Sequence, residues 1–147
     1  MKYLWIGPGM GERTQKEVLD KGGKLLSAFV SQTNLVEGLD AFRICMDTIN
    51  GPNMDESLFP IVPYEKWSRN GQSVDINVGY KNTKYLNRIT KEKAICREVD
   101  KWLQNQTDEP ITVIVYSMHT AFNAAACRIK KKRPNTQIVL IVPDLPQ

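Results

Sequence analysis

Four features of this 147-residue chain have residue types and spacing suited to chemistry: a single histidine, two glycine clusters and one basic run. His119 follows the apolar run 111–117, in the order Tyr116-Ser117-Met118-His119-Thr120. An imidazole changes charge near neutral pH, so it is able to donate a proton to a sugar hydroxyl or a phosphate oxygen. A histidine packed at a strand end and satisfied by backbone fits the same residues. Gly7-Pro8-Gly9-Met10-Gly11 approaches a dinucleotide fingerprint but has G-x-G-x-G spacing rather than G-x-G-x-x-G, and no helix is expected to begin there directly. Gly22-Gly23 stands before a helical pattern, where free N–H groups at a helix start attract anions. A flexible connection is the plainer reading of that pair. The run 128–134, RIKKKRP, falls in the last turns of another helical pattern, where cations suit the helix dipole without any partner. It also suits an anionic membrane surface.

Several chemistries are excluded. With one histidine and three widely spaced cysteines (Cys45, Cys96, Cys127), no zinc pattern is present, and no metal site is expected. No G-x-S-x-G elbow and no G-x-x-x-x-G-K-S/T loop occurs. The cysteines read as buried free thiols of a reducing compartment. The formal net charge of +4 is modest, and the basic run lacks the interleaved aromatics of a single-strand nucleic-acid binder, so no nucleic-acid partner is expected. No apolar run approaches the roughly 20 residues of a membrane helix. The N-terminal apolar stretch is too short for a secretion signal, so a cytoplasmic location is expected.

The elements that must position these residues follow from periodicity. Apolar runs at 2–6, 111–117 and 136–144, and alternating ones at 43–49 and 73–80, predict five strands. Helical spacing appears over 24–41, 90–106 and 121–133, with Thr90 as the expected cap of the second of these. Residues 50–72 hold Pro52, Pro60 and Pro63 and read as a long loop anchored by Phe59, Tyr64 and Trp67. Continuous apolar strands separated by helices predict a Rossmann-like, three-layer α/β domain, with a mostly parallel sheet of about five strands and a central first strand. Ligands in such sheets sit outside the carboxyl ends of the strands, at a topological switch point. That rule selects residues 7–11, 116–120 and Asp144.

Three stretches carry a resemblance. Gly22-Gly23 precedes a helix ending Asn34-Leu35-Val36-Glu37-Gly38-Leu39; a strand ends Tyr116-Ser117-Met118-His119-Thr120; another ends Val142-Pro143-Asp144-Leu145-Pro146. Together they resemble the N-terminal domain of bacterial GT-B glycosyltransferases, of the family-4-like type that builds capsular and exopolysaccharides. The resemblance implies transfer of a sugar from a nucleotide-sugar to a saccharide or lipid-linked acceptor with retention, the nucleotide-sugar being a co-substrate and no further cofactor being used. It implies that His119 donates a hydrogen bond to the transferred sugar or its phosphate, as the catalytic residue. Gly22 and Gly23, or else Gly9 and Gly11, would approach the donor phosphates, and Ser117, Thr120, Asp144 and Tyr64 would line the acceptor side. Residues 1–147 would then be one acceptor-side domain, a fragment lacking the C-terminal donor-binding domain and inactive alone. Arg128, Lys130, Lys131, Lys132 and Arg133 would give peripheral contact with the inner face of a membrane. Two departures stand out: a long spacer between the first strand and Gly22, and Ala121 where proline is common after the His-Thr pair. The competing reading is a stand-alone Rossmann-like module that binds a ligand or partner without catalysis.

Overall fold

In the computed structural model, residues 1–143 are described. Strand β1 (Lys2–Gly7) leads into helix α1 (Glu12–Asp20) and helix α2 (Ser27–Ala41), which return the chain to β2 (Met46–Asn50). Short strands β3 (Ile61–Val62), β4 (Glu65–Trp67), β5 (Asp75–Asn77) and β6 (Tyr80–Lys81) follow. Helix α3 (Asn87–Gln104), β7 (Ile111–Tyr116), α4 (Thr120–Lys132) and β8 (Gln137–Ile141) complete the fold.

The main sheet has the order β4-β5-β2-β1-β7-β8. Its five strands from β5 to β8 are parallel, and β4 adds an antiparallel edge on β5. The first strand is central, as expected: Trp5 sits opposite Thr48 on one side and Ile114 on the other. Leu4, Ile6, Ile49, Val113 and Val115 pack on one face against Ile95, Val99 and Trp102 of α3 and Phe122, Ala125 and Ile129 of α4. Trp5, Met46 and Tyr116 pack on the other face against Val36 of α2. The molecule is therefore a three-layer, Rossmann-like α/β domain. Helices that follow β1 and β7 cover opposite faces, so the switch point lies between those two strands. No helix among the described residues is long and apolar enough to cross a membrane.

Five expectations need correction. First, a helix does start directly after the first glycine cluster. α1 is mostly polar, with Val18 and Leu19 its only apolar residues, and buries only Thr14 and Val18, so no apolar stripe announces it. Second, the long connection after β2 holds two strands as well as loop. β3 pairs antiparallel with β6 in a separate two-stranded sheet, with Pro60 and Pro63 just outside its two paired residues, and β4 occupies the edge of the main sheet. Third, α3 starts at Asn87, and Thr90 lies inside it with its hydroxyl donating to the carbonyls of Lys81 and Leu86. Fourth, β8 is not covered on both faces. Ile138, Val139 and Leu140 are exposed, because this strand is an edge that pairs only with β7. Cys45 and Cys127 are exposed and Cys96 is half-buried, so the expected burial of the thiols does not hold.

Candidate functional site

Two loops leave the carboxyl end of the sheet at the switch point, each running into a helix. The loop after β1 passes Gly9 and Gly11 to the start of α1. An open helix start there would present free N–H groups to a phosphate. Instead, the carboxylate of Glu65 reaches across from β4 and accepts from the backbone N–H groups of Arg13 (3.3 Å) and Thr14 (3.0 Å) and from the Thr14 hydroxyl. Glu65 and Thr14 are both buried. A Cβ at Gly11 would lie 2.4 Å from this carboxylate, and one at Gly9 2.3 Å from Gln32 Nε2. The two glycines are therefore packed against the chain's own side chains. Gln32 continues inward, donating to Asn50 Oδ1 at 2.8 Å; Asn50 donates to Thr48, and Thr48 to Asp75. Buried Asp75 is held by Arg69, which also pairs with Asp40 at 2.8 Å.

Gly22 and Gly23 do not open a helix; α2 begins at Ser27. They close α1. Gly22 takes φ +75°, its N–H donates to Leu19 O at 2.9 Å, and the Gly23 N–H donates to Val18 O at 2.8 Å. This is a glycine helix stop in which both N–H groups are used, so the anion site expected there is absent. The pair instead lines an apolar cavity of about 550 Å³ with Met10, Val18, Leu58 and Phe59.

The loop after β7 is different. Ser117 takes φ +80°, which an L-residue adopts only under constraint, and its Oγ accepts the His119 N–H at 3.3 Å. This tight turn ends the strand and places His119 at the cap of α4, where its carbonyl accepts from Phe122 (3.0 Å) and Asn123 (3.1 Å). No side chain among the described residues caps α4. The imidazole lies against the Phe122 ring, 4.9 Å between centroids, and its Nδ1 is buried without a partner.

His119 and Thr120 line a cavity of about 440 Å³ with Asn53, Tyr80, Arg88 and Lys91. Lys91 is only 4% exposed. Its ammonium donates to Asn53 Oδ1 at 2.5 Å and lies 5.0 Å from the Tyr80 ring centroid. Burial pushes Lys91 down to about 8. Burial, together with the charges of Lys91 and Arg88, pushes His119 below its ordinary value, so the imidazole is mostly neutral at pH 7. The Tyr80 hydroxyl donates to Pro52 O and is pushed up by burial, which fixes the far wall of the cavity.

Of the residues selected from sequence, the structure brings together His119, Thr120 and the Ser117 turn. Tyr64 is exposed, its carbonyl accepts from Arg13, and it is not among the residues that line the cavity. Asp144 lies outside the described residues. The basic run is largely engaged within the chain: Arg128 and Lys132 pair with Asp100, Arg133 pairs with Asp108, and Lys130 donates to Thr136 O. Sequence reading passed over Arg88, Lys91, Asn53 and Tyr80. A signal for Lys91 was present: it heads the stripe Ile95, Val99 and Trp102, one of few charges on the buried side of α3. Among the described residues no three His, Cys, Asp or Glu side chains converge to hold a metal ion. Comparison with protein-family models, curated proteins and solved structures finds no match to this chain.

Proposed function

We propose that this chain is the acceptor-side domain of a retaining GT-B glycosyltransferase of the family-4-like, capsular or exopolysaccharide type. It would act at the cytoplasmic face of a membrane on a nucleotide-sugar and a saccharide or lipid-linked acceptor. The observation that carries the reading is the placement of His119. It caps a helix at the carboxyl end of a central parallel strand, beside the switch point, with one ring nitrogen unpartnered and a cavity in front of it. A neutral imidazole there has one N–H to donate and one nitrogen to accept, which suits a sugar hydroxyl. The uncapped start of α4 adds a fixed positive pole that favours charge on a departing phosphate oxygen without any reorganisation. The Ser117 turn holds the ring in place, so a reacting group meets it already oriented. A membrane contact through residues 128–133 belongs to the same proposal, with Lys131 as its freest charge, since its neighbours are bonded within the chain.

The test is genetic. In the organism that makes this chain, His119→Ala at the chromosomal copy should lower surface polysaccharide about tenfold or more at unchanged protein level, the scale of losing one positioned polar group. Unchanged polysaccharide sinks the reading. The purified chain of residues 1–147 should turn over no nucleotide-sugar, and turnover by it would contradict the half-site assignment.

A further inference from the structure

We infer that the cavity between α3 and the start of α4 is a phosphate site, and that the acceptor is therefore a phosphorylated molecule, either a phosphosaccharide or a lipid phosphate. Naming this ligand the acceptor rests on the glycosyl-transfer reading; the phosphate site does not.

The argument starts from charge. Of the three buried carboxylates, Asp75 is matched by Arg69 and Glu98 by Lys101 at 2.7 Å, and Glu65 is satisfied by the N–H groups at the start of α1. Lys91 is 4% exposed, and among the described residues it enters no ion pair. None of the residues lining its cavity is Asp or Glu. An ammonium buried without a counter-charge costs folding free energy and is retained where an anion supplies the missing charge. Arg88 lines the same cavity one turn before Lys91, and its exposed guanidinium is free to fork onto two oxygens. His119 and the uncapped first turn of α4 approach from the opposite wall. Donors that converge from two helices suit a tetrahedral dianion better than a planar monoanion. A volume of about 440 Å³ also leaves room for the group that carries the phosphate. A ligand held entirely within this domain is, on the transfer reading, the acceptor and not the donor.

The test uses inorganic pyrophosphate as the first probe. It is titrated into the chain while the His119 ring resonances are followed by NMR. Saturable shifts of that ring are expected, with binding about tenfold weaker or worse in Lys91→Met and in Arg88→Gln, as the loss of a charge-assisted hydrogen bond implies. Because Arg88 is exposed, its variant separates binding from folding should Lys91→Met disturb the core. Binding unchanged in both variants, or equal affinity for an uncharged hexose, overturns the site. Two further arms distinguish the source of the phosphate. A hexose phosphate that competes with pyrophosphate assigns a phosphosaccharide. Phosphatidylcholine vesicles that capture the chain only when they contain phosphatidic acid, and lose it in Lys91→Met, assign a lipid phosphate. Failure of both arms overturns the acceptor assignment. If pyrophosphate binds as expected while His119→Ala leaves polysaccharide unchanged, the phosphate site stands and the transfer reading falls.

Discussion

Two helices begin at the carboxyl rim of one sheet, on either side of the switch point, and the chain finishes them in opposite ways. The start of α1 is sealed by a buried carboxylate from a distant edge strand, with glycines that leave it room. Among the described residues the start of α4 has no side-chain cap, and it looks onto a cavity lined by Arg88, Lys91 and His119. Both carry the same positive pole. One has its negative partner supplied from within, which makes it a structural joint. The other has two cations and no carboxylate among the residues that line its cavity, and on the proposal above it is left for a ligand. The resemblance to nucleotide-binding glycine loops draws the eye to the first; the unmatched charge points to the second.

The largest effect expected of any single change is at the open end, the loss of polysaccharide in His119→Ala. Next comes the sealed end. Glu65→Ala leaves the N–H groups of Arg13 and Thr14 and the Thr14 hydroxyl without their acceptor, a loss of about 3 kcal/mol in denaturant unfolding, since each buried orphan costs about 1–3 kcal/mol. Added sulfate should recover part of that loss by occupying the vacated helix start. No loss of stability would mean that Glu65 does not bind α1, and the contrast between the two ends would dissolve.

Lys91→Met should move stability the other way. A lysine held at about 8 rather than its ordinary 10.5 carries a penalty of roughly 3 kcal/mol while charged in the folded state. Part of that is offset by the Asn53 hydrogen bond and the Tyr80 ring, so the variant should gain about 1–2 kcal/mol at pH 7. Between about 8 and 10.5 the unfolded chain holds more protons at this site than the folded one, so the native chain should grow more stable as pH rises across that window. The variant should lack this climb, and parallel curves for the two would refute the buried ammonium. His119 gives a smaller effect of the same sign at lower pH. Its lowered value means that the folded state resists protonation, so acidification below about 6.5 should weaken the native fold and spare His119→Ala. The smallest structural change is Gly11→Ala. Its methyl would press on the Glu65 carboxylate, and about 1–3 kcal/mol of destabilisation is expected from crowding of that kind.

Much of the fold was legible because burial writes itself into period and composition. The runs over 2–6 and 111–117 are mainly apolar, and both form strands covered on two faces. The similar run over 136–144 misled: its residues are as apolar, yet β8 stands at the edge with Val139 and Leu140 exposed, and composition does not report position in a sheet. α1 was hidden because it buries little beyond Thr14 and Val18, a threonine carrying no hydrophobic signal. The glycine pair at 22–23 was placed in the right connection but read at the wrong end of a helix, since a stop and a start differ only in which neighbours take the N–H groups.

The sequence by itself determined the layered α/β class, the central first strand and the arrival of the only histidine at a strand end, because each follows from short-range patterns of burial. Tertiary structure decided which helix start is sealed and which faces a cavity. Glu65 lies 51 positions from Thr14, and Lys91 lies 28 positions from His119 in the chain. Charge is matched or left unmatched in space, across elements that only the folded sheet brings together, and no local pattern records it.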